Sequence, residues 1–303
     1  MINKDIIMKI LKRLQHHIYE DFCKFLTVVS PRLNTIVRYR ERFGKNPDLI
    51  NPKTLNEKIL KLKLERYPQD KLVRQCADKY AVREYVKEKG LESILIPLIV
   101  YYNNIDEVEW DKLPNSFVMK WNFGSGYNLL CPNKNKLDIE SSVKIMKEWG
   151  NAKFHLKYSE LHYKGVPQKI IVEEFLRSNN GFAPEDYKIY CFHGEPKYIM
   201  LCEGREPGKK PKFYFFDTKW NFVKLSPDSK KAPENFSYPK PNCLDYLLEC
   251  AHRLSSPFEF VRADFFIVNE KVYFGELTFT PAAGLSVNVL PEADLMFGEF
   301  VKI

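Results

Sequence analysis

Residues 260–284, FVRADFFIVNEKVYFGELTFTPAAG, constrain this chain more than any other stretch. VRADFFIV and KVYFGELTF are rich in β-branched and aromatic residues, which suit a pleated, half-buried surface. The polar pair Asn269-Glu270 between them reads as a two-residue hairpin turn, although neither residue is the favoured glycine. Two acids, Asp264 and Glu276, are set into these strands. Thr278 lies two residues past Glu276, so both point to one face. With Asn269 and Glu270 as the turn, Asp264 pairs near residue 275 and comes within cross-strand reach of Glu276. Two carboxylates and a hydroxyl on one sheet face make an oxygen-rich site suited to Mg²⁺. Neighbouring carboxylates repel, and a divalent cation or a raised pKa has to relieve that. Acids also stand on solvated faces of antiparallel sheets, but the pair with Thr278 and the TPAAG loop behind it favours a metal site.

The chain has 303 residues, enough for one large domain or two moderate ones. A hydrophobic share of 45% with 28% charged residues is that of a globular enzyme. No apolar run approaches 18 residues, so no transmembrane helix is expected. The N-terminal segment carries charges through its apolar positions and lacks a small-residue cleavage site, which excludes a secretory signal. Seven scattered cysteines without a CxxC point to reduced thiols in a cytoplasm. A net charge of +8 calls for an acidic partner: nucleotide phosphates, an anionic polymer or a membrane surface. No nucleic-acid module is visible, and nucleic acid is not expected as a partner.

In chain order, residues 1–25 form an amphipathic helix, with Ile6, Ile7, Ile10, Leu11, Leu14 and Ile18 at helical spacing. It either packs on the body or lies at a membrane interface. Residues 31–70 continue helical and basic, and Thr54 with Glu57 makes a capping box. A helix from about Lys79 to Lys89 ends at Gly90, and ILIPLIVYY follows as a buried strand. The strand FVMK, a Gly124-Ser125-Gly126 loop and the strand YNLLC form a flap whose amides suit phosphate, with Lys120 and Lys79 aimed at the same anion. This is not a Walker loop, because GK[ST] is lacking. Residues 139–150 are a helix. KIIVEEFL is a buried strand whose exit could read an adenine edge. DYKIYCF and EPKYIMLC are strands around His193-Gly194, with Asp186 and Lys188 on one face. Residues 225–242 are expected as a long basic excursion that orders over substrate. The helix CLDYLLECAHRLSS leads into the opening hairpin.

NPKTLNEK, DKY, VMKWNFGSG, IVEEFL, DYK, VRADFF and FGELTFTP, in that order, resemble the ATP-grasp superfamily, and in wording its TupA-like branch, associated with teichuronopeptide and other surface-polysaccharide synthesis. The resemblance covers roughly residues 40–303. It implies an α+β ATP-grasp fold, two subdomains gripping ATP between antiparallel sheets. A helical N-terminal region (1–75) would precede the ATP-grasp domain (76–303), made of a flap subdomain (about 115–175) and a metal and substrate side (176–303). It further implies that Lys79 and Lys120 meet the α- and β-phosphates and that Gly124, Ser125 and Gly126 close over the triphosphate. Glu173, Glu174, Phe175 and Leu176 would hold the adenine. Asp186 or Glu185 would hold the ribose, and Lys188 belongs with the nucleotide site. Asp264, Glu276 and Thr278 would hold Mg²⁺ (or Mn²⁺). The usual third ligand of the superfamily is Asn, so Thr278 is a departure. Arg262 and Arg205 are candidates for the substrate carboxylate or the phosphoryl group in flight, since Arg matches both in bidentate fashion.

The implied chemistry is ATP-dependent carboxylate–amine ligation through an acylphosphate, joining an amino acid or amine to an anionic, uronic-acid-containing saccharide. The site would be cytoplasmic, with the first helix at the inner face of the membrane. Two other readings use the same residues: a sugar or polysaccharide kinase, and a glycosyltransferase, although no DxD-like acid pair on a loop is present.

Overall fold

The computed structural model describes residues 4–177, 184–204 and 210–303. Five helices open the chain: α1 (Lys4–Val29), α2 (Pro31–Phe43), α3 (Leu55–Glu65), α4 (Lys71–Ala77) and α5 (Val82–Glu88). Next come β1 (Leu98–Tyr102), β2 (Phe117–Trp121), β3 (Asn128–Cys131), α6 (Ile139–Asn151), α7 (Phe154–Lys157) and β4 (Ile170–Glu174). The last part holds β5 (Asp186–Phe192), β6 (Glu195–Glu203), β7 (Lys212–Asp217), β8 (Phe222–Val223), α8 (Pro227–Lys231), α9 (Leu244–Ser255), β9 (Phe260–Val268), β10 (Lys271–Thr278) and α10 (Pro291–Phe300).

Two antiparallel sheets result among the described residues. The smaller has the order β1-β4-β2-β3 and the larger β10-β9-β5-β6-β7-β8. The architecture is therefore α+β. Alternation sorts the larger sheet's faces: Ala263 and Phe265 of β9 and Ile189 and Cys191 of β5 are buried in the main core, with Leu247, Cys250 and Leu254 of α9. The opposite face of β5 and β9 carries Asp186, Lys188, Arg262 and Asp264, in register across the two strands. The smaller sheet has its own core, built on Phe117, Met119, Ile170 and Val172 with Met146 of α6.

Local chemistry explains the boundaries. Thr54 and Glu57 form the expected capping box on α3. Gly90 takes φ +68° just past α5, as a C-terminal glycine does. Asn269 and Glu270 adopt φ +51° and +61°, so the turn is of the I′ kind without glycine. His193-Gly194 does the same between β5 and β6, at φ +48° and +83°. All seven cysteines are free thiols. No helix among the described residues is long and apolar enough to cross a membrane.

Three expectations change. Lys79 does not open a helix, since it lies in the turn between α4 and α5, where Asp78 Oδ1 accepts from the amides of Tyr80 and Ala81 at 2.7 and 3.1 Å. ILIPLIVYY is not one buried strand. β1 starts after Pro97, lies at the sheet edge and alternates between half-exposed and exposed positions up to its buried last residue, Tyr102. Residues 225–242 do not stand off the body. Phe236 and Tyr238 pack on the main core, and the Tyr238 carbonyl accepts from Trp220 Nε1 at 2.9 Å.

Candidate active site

The hairpin β9–β10 places the acids. From the turn, Val268 pairs with Lys271 and Phe265 with Phe274; beyond Phe274 the register shifts by one, and Asp264 pairs with Glu276. The extra residue is Gly275. A Cβ there would lie 2.9 Å from the Asp264 carbonyl oxygen, so only glycine lets the strands close. The bulge matters because a one-residue slip flips side chains to the other face. Glu276 and Thr278 thereby join Asp264 and Arg262 on the face away from the core.

Cations fill this face. Arg262 grips Asp264 two residues along its own strand, Nε to Oδ1 at 2.7 Å and a second nitrogen to Oδ2 at 2.6 Å. Lys188, opposite on β5, donates to Asp264 Oδ2 at 2.6 Å and stands 3.1 Å from Asp186. Arg262 also donates to Thr278 Oγ1 at 3.2 Å, and Thr278 donates to Glu276 Oε1 at 3.1 Å. Glu276 Oε2 is 3.7 Å from Lys79 Nζ. Burial would push Asp264 up, but Arg262 and Lys188 outweigh it and hold the carboxyl below its usual range. Glu276 is held low in the same way, with Lys79 acting against burial and against Asp264. Burial pulls Lys79 down, opposed by Glu276 and aided by Lys120.

Asn122 locks Lys79 in place. It is fully buried at the end of β2. Its side chain donates to Asp78 Oδ2 at 2.8 Å and to the Pro167 carbonyl at 2.9 Å, and it accepts from the Lys169 amide at 2.8 Å. Its carbonyl accepts from the Lys79 amide at 2.8 Å. Lys120 is held by Glu173 at 2.7 Å, and Arg83 takes the other oxygen of Glu173 at 3.0 Å. Glu173, expected among the adenine contacts, is thus a buried counter-ion for Lys120.

The flap is as expected between β2 and β3. Gly124 and Gly126 take φ +71° and +83°, and Ser125 and Gly126 are exposed. Lys79 Nζ donates to the Gly124 carbonyl. Two clefts flank this arrangement. One of about 440 Å³ is lined by Lys79, Lys120, Gly126, Asp186, Lys188 and Asp264. The other, about 700 Å³, runs from Gly124 and Thr278 to Arg42, Lys157 and Tyr158. Ser125, Arg262, Glu276 and Ala282 line both. Ala282 lies in the TPAAG loop, where Ala282, Ala283 and Gly284 take φ +49°, +59° and +80° in succession. Such backbone costs free energy and persists where the surroundings impose it. The buried Lys63 imposes it, donating to the Ala283 carbonyl at 2.9 Å.

Several anticipated residues stand elsewhere. Glu174, Phe175 and Leu176 do not line the 440 Å³ cleft. The Glu174 amide donates to the Pro97 carbonyl at 3.1 Å, and the Phe175 ring lies 5.4 Å under the Arg177 guanidinium. Glu185 accepts from the Tyr238 hydroxyl. Arg205 lies outside the described residues. Arg83, Asn122, Lys63 and Gly275 escaped the sequence reading. Each acts through a partner far away in sequence or through backbone geometry; Asn122 and Gly275 do sit inside VMKWNFGSG and FGELTFTP, but nothing in those motifs marks these roles.

The donor set fits a hard divalent cation in one respect: both carboxylates are kept ionised. No group of three or more His, Cys, Asp or Glu able to hold a metal occurs among the described residues. The protein's share would be Asp264, Glu276 and Thr278, with phosphate and water oxygens completing the sphere, as Mg²⁺ prefers.

No curated protein matches the chain. Similar solved structures include D-alanine–D-alanine ligase from Bacillus anthracis in complex with ATP, at 14% identity and a TM-score of 0.45, over 75% of this chain and 65% of that one. The D-alanine–D-alanine ligase of Helicobacter pylori gives 14% and 0.44 over 83% and 70%. An L-amino acid ligase from Bacillus licheniformis gives 12% and 0.44 over 70% and 44%. The chain thus spans just under two thirds of the Bacillus anthracis enzyme. A model of the TupA-like ATP-grasp family matches residues 57–302, from the capping-box glutamate of α3 to the residue before the last. With that match over most of its length, the chain belongs to the TupA-like ATP-grasp family.

Proposed function

We propose that this protein is an ATP-dependent carboxylate–amine ligase that attaches an amino acid or amine to a carboxylate of an anionic saccharide. The observation that carries the reading is the shared wall between the two clefts. ATP would occupy the 440 Å³ cleft, its phosphates met by Lys79, Lys120 and Lys188 and by the flap amides. The acceptor carboxylate would enter through the 700 Å³ cleft, toward Arg262. A carboxylate oxygen attacks the γ-phosphorus, the β–γ bridging bond breaks, and ADP leaves. The amine nitrogen then attacks the acyl carbon, phosphate departs, and the amine gives up a proton. The protein's part is positioning and charge neutralisation, which is what phosphoryl transfer requires. Mg²⁺, held by Asp264, Glu276 and Thr278, would neutralise phosphate charge.

Arg42 and Lys157 line the larger cleft beside Glu20 and Glu41, so this wall carries both signs of charge. The saccharide itself is proposed from the TupA-like family's association with surface polysaccharides.

The test is nucleotide release with ATP, Mg²⁺, a uronic-acid oligosaccharide and a set of amino acids. ADP and free phosphate appearing only when both co-substrates are present supports the ligase. Phosphate retained on the saccharide would make the protein a kinase. Binding of UDP-sugars without binding of ATP would overturn both and leave a glycosyltransferase.

A further inference from the structure

α1 has two unlike sides. One is fixed to the body. Cys23, Leu26 and Thr27 are buried, Thr27 Oγ1 donates to the Leu156 carbonyl at 2.7 Å, and Arg38 of α2 donates to Glu20 at 2.8 Å. His16 and Glu20 on this side line the 700 Å³ cleft. On the other side Leu11, Leu14, Ile18, Phe22, Phe25 and Val29 follow one another at steps of three or four, which on a helix makes one continuous stripe. All six are between 47% and 63% exposed. The stripe is about 27 Å long at 1.5 Å per residue. Ordinary folded surfaces do not leave so long an apolar row in water.

The charge around the stripe identifies what covers it. Residues 4–43 hold nine Lys and Arg against four Asp and Glu, so five of the chain's eight net positive charges fall on α1, α2 and the residue between them. Lys12 and Arg13 stand on α1 itself, between its apolar positions. A second copy of the helix would set this positive segment against itself. A bilayer with anionic headgroups meets the apolar stripe and the charge together, and each basic residue near such a surface adds to the attraction.

We propose that α1 docks the protein on an anionic lipid surface, with the Leu11–Val29 stripe among the acyl chains. The cleft side of the helix then stands one helix diameter, about 10 Å, from the acyl chains, at the level of the headgroups. Resting on the ligase reading, this suits an acceptor saccharide carried on a lipid anchor.

The experiment is co-sedimentation of the full chain with vesicles of phosphatidylcholine, with and without phosphatidylglycerol, beside the double variant Ile18→Asp/Phe22→Asp. Both positions are exposed, so the variant is expected to keep its circular dichroism and its ATP binding. The expected result is pelleting with the phosphatidylglycerol vesicles that weakens with salt and falls roughly tenfold or more in the variant. Equal pelleting of the two proteins would overturn the proposal. So would a wild-type dimer by light scattering that the substitutions dissolve while neither protein pellets. ATP binding is read separately, so loss of the ligase reading leaves the vesicle result standing.

Discussion

Glu276 faces Asp264 across β9–β10 because one residue, Gly275, is looped out of register between Phe274 and Glu276. Unbroken pairing from the Asn269-Glu270 turn would set Glu276 opposite Ala263, on the core side of the sheet. The acid pair is a product of the bulge.

Gly275→Val tests this. Its side chain would collide with the Asp264 carbonyl 2.9 Å from the new Cβ. The variant should lose about 1–3 kcal/mol of stability, the usual cost of forcing atoms into a packed site. It should also lose Mg²⁺-dependent ATP binding. Thermal denaturation and calorimetry measure the two, and normal binding would show that the bulge is dispensable to the site.

Asp264→Ala leaves Arg262 and Lys188 buried without their shared partner. Removing one member of a buried ion cluster costs about 3–5 kcal/mol. Urea unfolding should show a loss of that size, larger than for Thr278→Ala, whose hydroxyl only bridges Arg262 and Glu276.

Asn122→Ala removes the side-chain tie from the end of β2 to Asp78, beside Lys79, and to Pro167 and Lys169 before β4, while the backbone bond from the Lys79 amide remains. Each partner left buried and unpaired costs about 1–3 kcal/mol. The expected outcome is lower stability with a raised KM for ATP, because Asp78 no longer anchors the turn that carries Lys79 at the proposed phosphate site. An unchanged KM in the folded variant would mean Lys79 is positioned by other contacts.

Acid should weaken the fold through the same face. Asp264 and Glu276 are held below their ordinary values in the folded protein, against burial, by Arg262 and Lys188 and by Lys79. The unfolded chain therefore takes up protons first, near about pH 4. The stability these groups contribute is complete above about pH 5 and is lost as pH falls through about 4 toward the folded values. Glu276→Gln removes one such group. Its melting temperature should drop less than wild type between about pH 5 and pH 3, and parallel curves would refute the assignment.

Gly124→Ala places a side chain at φ +71° with its Cβ 2.8 Å from the Phe154 ring. A left-handed non-glycine residue costs roughly 1–2 kcal/mol. The flap should lose its shape before the fold fails, so ATP affinity should fall by more than stability does, compared by calorimetry and denaturation on one preparation.

Much of this protein is decided by short-range chemistry. The β9–β10 hairpin, its two-residue turn, the capping box on α3, the glycine after α5 and the Gly-Ser-Gly flap follow from residues within a few positions of one another. So does the choice of Lys79, Lys120, Asp264 and Glu276 as candidate site residues, because phosphate and metal chemistry would require charges of those signs. Tertiary structure decided the rest. Periodicity cannot show a bulge, since Gly275 reads as one more strand residue until its neighbour strand is in place. The service of Glu173 to Lys120 and Arg83 depends on pairing between segments 53 and 90 residues apart. The basic excursion at 225–242 lies down because Phe236 and Tyr238 find an apolar surface built from β7 and β8. Which side of α1 faces water was likewise settled only by what its other side packs against. A local pattern can declare a helix amphipathic, but only the assembled body determines which of its faces is left over.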